Sequence, residues 1–160
     1  QARIYYVIAD SVEAARGSPY IEKLRERGLE VLLMCDRVDE WVMGQVSEFG
    51  GKRFKDATRG DLELGPLAGP ADDGEAEKAL KESKGLLKRV KDALGERVAV
   101  VKVSTRLTDT PACLVLAEHD MGAQMRRILA ASGQTREQAG QFVLHLSWFW
   151  TWIFFSASTP

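Results

Sequence analysis

The 160-residue sequence is poor in the residues that build metal and redox centres: two cysteines, Cys35 and Cys113, and two histidines, His119 and His145. Neither histidine stands at metal-ligand spacing from a cysteine, which excludes a zinc motif. Each cysteine lies in an apolar run, Val31 to Cys35 and Cys113 to Leu116, predicting buried free thiols that suit a reducing cytosol. The glycines match neither a P-loop nor a dinucleotide fingerprint. Excess charge of one sign is also missing. With 22 basic and 23 acidic side chains the net charge is −1, so no global field recruits nucleic acid or an anionic membrane. The N-terminus shows no basic region followed by an apolar stretch, so no secretory signal is read. The chain opens directly on a strand-like run and reads as a piece of something longer.

What is present is 45% apolar and 28% charged, an ordinary globular balance. Its distribution is uneven. Of thirteen aromatic residues, seven fall between Phe142 and Phe155, and no charged residue follows Glu137. The end of the chain therefore stands apart from the rest in composition.

The periodicity predicts an α/β to α+β chain in two modules. Ile4 to Ile8 reads as a buried strand, with Asp10-Ser11 capping a short helix that Gly17 interrupts. Ser18-Pro19 restarts a helix, and Gly28 ends it. Glu30 to Cys35 is a second strand. Asp36 then caps a helix carrying Val38, Val42, Val46 and Phe49 on one stripe, with Trp41 on its flank, as far as Gly50-Gly51. Lys52 to Thr58 is a third, more exposed strand. This order predicts a small βαβαβ unit over residues 1–59. Residues 60–74 hold four glycines, two prolines and four acidic residues, the composition of a linker. Residues 75–134 read as a helix–β-hairpin–helix module. It comprises a helix from Glu75 to Leu94, strands Val98 to Leu107 and Ala112 to Ala117 joined by Thr108-Asp-Thr-Pro111, and a helix capped by Asp120. Residues 135–160 form an aromatic tail outside that pattern.

Candidate chemistry is sparse. Glu118-His119-Asp120 are neighbours on a strand end and do not converge as an acid–base site must. Asp36, Asp39 and Glu40 are accounted for as a capped, dipole-complementing first helical turn. The lysines at 78, 81, 84, 88 and 91 alternate with acids and read as a solvated face. The apolar stripe Met121, Met125, Ile128 and Leu129, and Trp41 off its own stripe, fit either core packing or an adaptable binding surface.

Several runs resemble the heat-shock protein 90 chaperone family. Ile4-Tyr-Tyr-Val-Ile-Ala-Asp10, Ser18-Pro19, Gly28-Leu-Glu-Val-Leu-Leu33 and Asp36-Arg-Val-Asp-Glu-Trp41 resemble the end of the middle domain in bacterial members. Arg106-Leu-Thr-Asp-Thr-Pro-Ala112 and Gln124-Met-Arg-Arg-Ile-Leu129 resemble the start of the C-terminal domain. The resemblance covers Arg3 to Gln134 and implies a fragment of a dimeric, ATP-driven clamp that binds unfolded or partly folded clients in the cytoplasm. It implies no catalytic residue, cofactor or metal in this chain: ATP and magnesium belong to domains upstream, and the dimer helices lie beyond the matched region. It also implies client contacts at Trp41, Met121, Met125, Ile128 and Leu129, with Gly44 departing from the often polar family position three residues after the tryptophan. After Gln134 the resemblance ends, an ending that a shifted reading frame or truncated gene explains.

Two other functions compete. Membrane-surface attachment through Phe142 to Phe155 has tryptophans suited to an interface. That stretch is shorter than the roughly 20 apolar residues needed to span a bilayer, and it lacks flanking basic residues. A small-molecule enzyme on the first unit needs polar groups at the strand C-terminal ends, where Asp10, Ser11 and Asp36 already have capping roles.

Overall fold

The computed structural model describes residues 1–62, 64, 81, 83–117 and 142–147. In the first unit, β1 (Arg3–Ile8) is followed by α1 (Val12–Arg16), a 3₁₀ turn (Pro19–Ile21), α2 (Glu22–Glu26) and β2 (Val31–Met34). Then come α3 (Asp39–Met43), β3 (Glu48–Phe49) and β4 (Lys52–Asp56). The sheet order is β2-β1-β4-β3, with β1 parallel to both β2 and β4. β1 is thus an inner strand between β2 and β4, and Tyr5, Tyr6 and Val7 form an unbroken buried run. Tyr5 and Val7 lie in the core cluster, and Tyr6 stands edge-on to the ring of Phe54.

Local chemistry sets the elements as the sequence foretold. Ser11 Oγ accepts from the Ala14 N–H at 3.1 Å, and Ser18 Oγ accepts from the Tyr20 N–H with Pro19 at the first helical position. α2 ends in a Schellman motif. Gly28, at φ +66°, donates its N–H to the Arg25 carbonyl, and the Leu29 N–H reaches the Leu24 carbonyl, both at 2.9 Å. Leu29 then packs on the core of Tyr5, Val7, Ala15, Ile21, Leu24 and Ala57.

Three expectations are corrected. The helix drawn from Asp36 towards Phe49 is only Asp39–Met43, with Val38 as its N-cap and Gly44 as its C-cap. Gly50 and Gly51, at φ +57° and +74°, supply the two left-handed residues of a tight hairpin turn, which pulls Glu48–Phe49 into a strand against β4. Secondly, the linker is anchored at its start. The Gly60 N–H donates to the Leu116 carbonyl at 3.0 Å, the Leu116 N–H donates to the Thr58 carbonyl at 3.1 Å, and Leu62 and Leu64 pack on the first core.

The third correction concerns the second unit. It holds α4 (Lys84–Leu94), a 3₁₀ turn (Gly95–Arg97), β5 (Val100–Ser104), β6 (Ala112–Leu116) and β7 (Phe142–Ser147). β5 and β6 do not form a hairpin. The order is β5-β7-β6, with β7 parallel to β5 and antiparallel to β6. The connection between β5 and β6 is too wide for a tight turn, and Leu107 within it is wholly buried in the second core. β7 takes the gap. Its Phe-Val-Leu-His-Leu-Ser run comes from the segment that composition set apart, yet it is the central strand. Of the helix expected from Glu75 to Leu94 the structure describes Lys84–Leu94, while residues 75–80 and 82, and the helix expected from Asp120 onward, lie outside the described residues.

Candidate functional site

Of the five residues singled out as client contacts, Trp41 is described, and Met121, Met125, Ile128 and Leu129 lie outside the described residues. Trp41 sits on α3, a helix of five residues with Asp39 and Glu40 in its first turn. Its indole is 63% exposed, Val38 is 61% exposed and Phe49 74%, with Val42 and Val46 open to solvent between them. Single exposed apolar residues are commonplace, but five within twelve positions make a patch. Val38, Val42, Val46 and Phe49, read as one helical stripe, are all open to solvent. Phe49 also borders an open groove of about 690 Å³ with Ile4, Val31, Leu32 and Lys52.

The patch rests on fixed groups. The Asp36 N–H donates to Asp39 Oδ2 at 2.8 Å, so the Asp36–Asp39 pair braces the turn through backbone rather than through an Asp36 side-chain cap. Glu40 Oε1 lies 3.9 Å from Arg59 Nη2, and Arg59 Nε donates to Asp56 Oδ2 at 2.9 Å. Asp56 Oδ1 in turn accepts from the Thr58 N–H and hydroxyl at 2.8 and 2.7 Å. This chain of contacts ties α3 to the end of β4.

A second set of residues joins the two units, and sequence reasoning missed it. Glu22 Oε2 accepts from the N–H groups of Thr108, Asp109 and Thr110 at 2.8, 3.1 and 3.2 Å, while Oε1 accepts from the Thr110 hydroxyl. Burial raises the cost of ionising Glu22, but these four donors outweigh it and hold its pKa below the ordinary value. The Tyr20 hydroxyl donates to the Leu114 carbonyl at 2.6 Å, and its ring packs on both cores. Arg106 donates to the Gly60 carbonyl at 3.1 Å, and Lys102 Nζ pairs with Asp61 at 2.6 Å. The only trace of this in the sequence is a polar turn, since the carboxylate it receives is 86 positions away.

Beneath this junction Cys113 and His145 are directly opposed on β6 and β7, a juxtaposition with the look of a thiol–imidazole dyad. Its electrostatics run the wrong way for catalysis. Burial pushes the Cys113 thiol up to about 11, so it is protonated at neutral pH. Burial, together with Arg106 and Lys102, pushes His145 down to about 3, so its imidazole is neutral. A nucleophilic pair needs the opposite shifts. Among the described residues no group of three or more His, Cys, Asp or Glu is placed to hold a metal ion, and no helix is long and apolar enough to cross a membrane. Cys35 and Cys113 are both free thiols, Cys113 buried and Cys35 half-buried.

The described residues thus expose apolar side chains around Trp41 beside the Glu40–Arg59–Asp56 contacts. Comparison with known proteins gives the chain a family. Residues 1–145 match the family model described as Hsp90 protein, a match that runs past Gln134 into β7. The chain belongs to the Hsp90 family. Similar proteins include the "Chaperone protein HtpG" of Shewanella halifaxensis, 53% identical over 134 residues, that of Shewanella pealeana, 54%, and that of Aromatoleum aromaticum, 53%. Each alignment covers 84% of this chain and 21% of the relative, so the chain spans about a fifth of the length of the curated relatives it matches.

Proposed function

We propose that the chain is the client-contacting segment of an ATP-dependent Hsp90-type chaperone, spanning the junction of its middle and C-terminal domains and acting in the cytoplasm. Unfolded or partly folded proteins bind through Trp41 and its apolar neighbours, with Met121, Met125, Ile128 and Leu129 supplying further contacts. ATP with magnesium and the dimer contacts belong to other parts of the whole chaperone, so this segment binds without hydrolysing. The observation that carries the reading is the open indole of Trp41 among Val38, Val42, Val46 and Phe49. Large apolar groups left in water at a braced site gain free energy only when a partner covers them, and aromatic anchors of this kind dominate binding.

The test is Trp41→Ser in the 160-residue chain, titrated against fluorescently labelled, reduced and carboxymethylated α-lactalbumin as a permanently unfolded probe. Loss of one central aromatic anchor weakens binding by about tenfold or more. Because the ring is largely exposed, urea unfolding shifts by no more than about 0.5 kcal/mol. Unchanged affinity in the folded variant refutes the role of Trp41.

A further inference from the structure

Among the groups that the Trp41 surface leaves unused, the Thr108–Thr110 turn is built to hold an anion. Three successive backbone N–H groups, of Thr108, Asp109 and Thr110, donate to one oxygen at 2.8, 3.1 and 3.2 Å, and the Thr110 hydroxyl donates to the oxygen beside it. Successive amides that converge in this way form an anion-holding nest, and a charged acceptor makes each bond roughly twice as strong as a neutral one. The anion seated there comes from the chain itself. It is the carboxylate of Glu22, the first residue of α2, and both of its oxygens are used. Burial works against ionisation of Glu22, but the Thr110 hydroxyl and the three amides outweigh it, so the group held is the carboxylate and not the acid.

The turn is also kept in place by contacts that do not involve Glu22. It leads into β6, whose Leu114 carbonyl accepts from the Tyr20 hydroxyl at 2.6 Å and whose Leu116 exchanges backbone bonds with Thr58 and Gly60. Arg106 on the Gly60 carbonyl and Lys102 on Asp61 add to these. Removing the Glu22 side chain therefore frees the amides of the turn without parting the two units.

We propose that the Thr108–Thr110 turn is a carboxylate-binding site whose ligand in this structure is Glu22, a latch in which one unit supplies the carboxylate and the other the receptor. Shape sets the class of ligand as much as charge does. The amides take Oε2 and the hydroxyl takes Oε1, so two oxygens of one planar group are held at once, which a spherical halide cannot reproduce. Neither Trp41 nor a client takes part in the latch.

The experiment uses the 160-residue chain and its Glu22→Ala and Glu22→Gln variants at neutral pH, with amide hydrogen exchange read in sodium acetate and in sodium chloride of equal ionic strength. Alanine removes the γ-methylene and the carboxylate, an acetate's worth of atoms, so acetate is the probe that refills the site. Glutamine keeps the side-chain volume and leaves acetate no room. Without acetate, exchange at Thr108, Asp109 and Thr110 is faster in Glu22→Ala than in the unsubstituted chain by about tenfold or more, while Tyr5, Tyr6 and Val7 stay protected. Acetate slows that exchange in a saturable way and chloride does not, whereas the unsubstituted chain and Glu22→Gln respond alike to both salts. A turn that exchanges as slowly in Glu22→Ala as in the unsubstituted chain overturns the latch. An opened turn that acetate protects no better than chloride overturns the binding site, and so does equal protection of Glu22→Gln by acetate, the mark of a general salt effect. If Glu22→Ala also loses protection in β1, the decision passes to carboxyl NMR titration of Glu22 in the unsubstituted chain and in Thr110→Val. The midpoint lies below the ordinary glutamate value in the former and rises in the latter, where the hydroxyl donor is gone. An unmoved midpoint overturns the site.

Discussion

Acidification from pH 7 to pH 5 tests the burial of His145. The side chain is 1% exposed in the central strand of the second sheet, opposite Lys102 on β5 and Cys113 on β6. Burial, then Arg106 and Lys102, drive its pKa from the ordinary 6.5 down to about 3, with Asp61 only partly offsetting them. In the unfolded chain the imidazole takes up a proton below pH 6.5, and in the folded chain it stays neutral until about pH 3. Across that window the unfolded state binds more protons, so stability falls with falling pH by about 1.36 kcal/mol per pH unit. From 6.5 to 5 this amounts to about 2 kcal/mol, or roughly thirtyfold in the unfolding equilibrium. Glu22 and Asp61 have depressed values, so their contribution is present above the ordinary carboxylate range and lost only as pH falls below it. The window above pH 5 therefore lies outside the range of these carboxylates. The assay is urea unfolding at pH 7 and pH 5 of the chain and of His145→Gln, which cannot titrate. The variant is less stable at both pH values, but its loss between them is smaller by about 2 kcal/mol. Equal losses in the two proteins refute the argument.

Two stability predictions follow from the cores. Leu24 is fully buried in α2 against Tyr5, Val7 and Ile21, so Leu24→Ala costs about 2–5 kcal/mol in chemical denaturation, and a cost under 1 kcal/mol shows a looser core than described. Leu144→Pro removes a ladder donor from β7 between two partner strands, so hydrogen exchange in β5 and β6 rises while β1 amides keep their protection. Unchanged protection of β5 and β6 contradicts the strand order β5-β7-β6.

Much of the first unit was legible because its signals are local. Ser11, Ser18-Pro19 and Gly28 each act within a turn of their own position, and the β1 run declares its burial by composition. The equally apolar β2, read as a buried strand, is only half-buried, with Leu32 open to solvent. The α3 region misled because the spacing of Val38, Val42, Val46 and Phe49 suits a helix, while Gly44 and the Gly50–Gly51 turn divide it into a helix and a hairpin. Periodicity says which residues share a face, not whether anything covers it, so Trp41 stayed open between core and surface until its exposure was known.

Local sequence carries the α/β character of the first unit, the caps and turns that bound its elements, and the kinship with Hsp90 chaperones. Tertiary structure alone decided three things. It placed Phe142–Ser147 between β5 and β6, since strand order depends on contacts between segments far apart in the chain. It left the Trp41 patch uncovered. And it brought the Glu22 carboxylate to the amides of Thr108–Thr110, a meeting of groups 86 to 88 positions apart that no local pattern encodes.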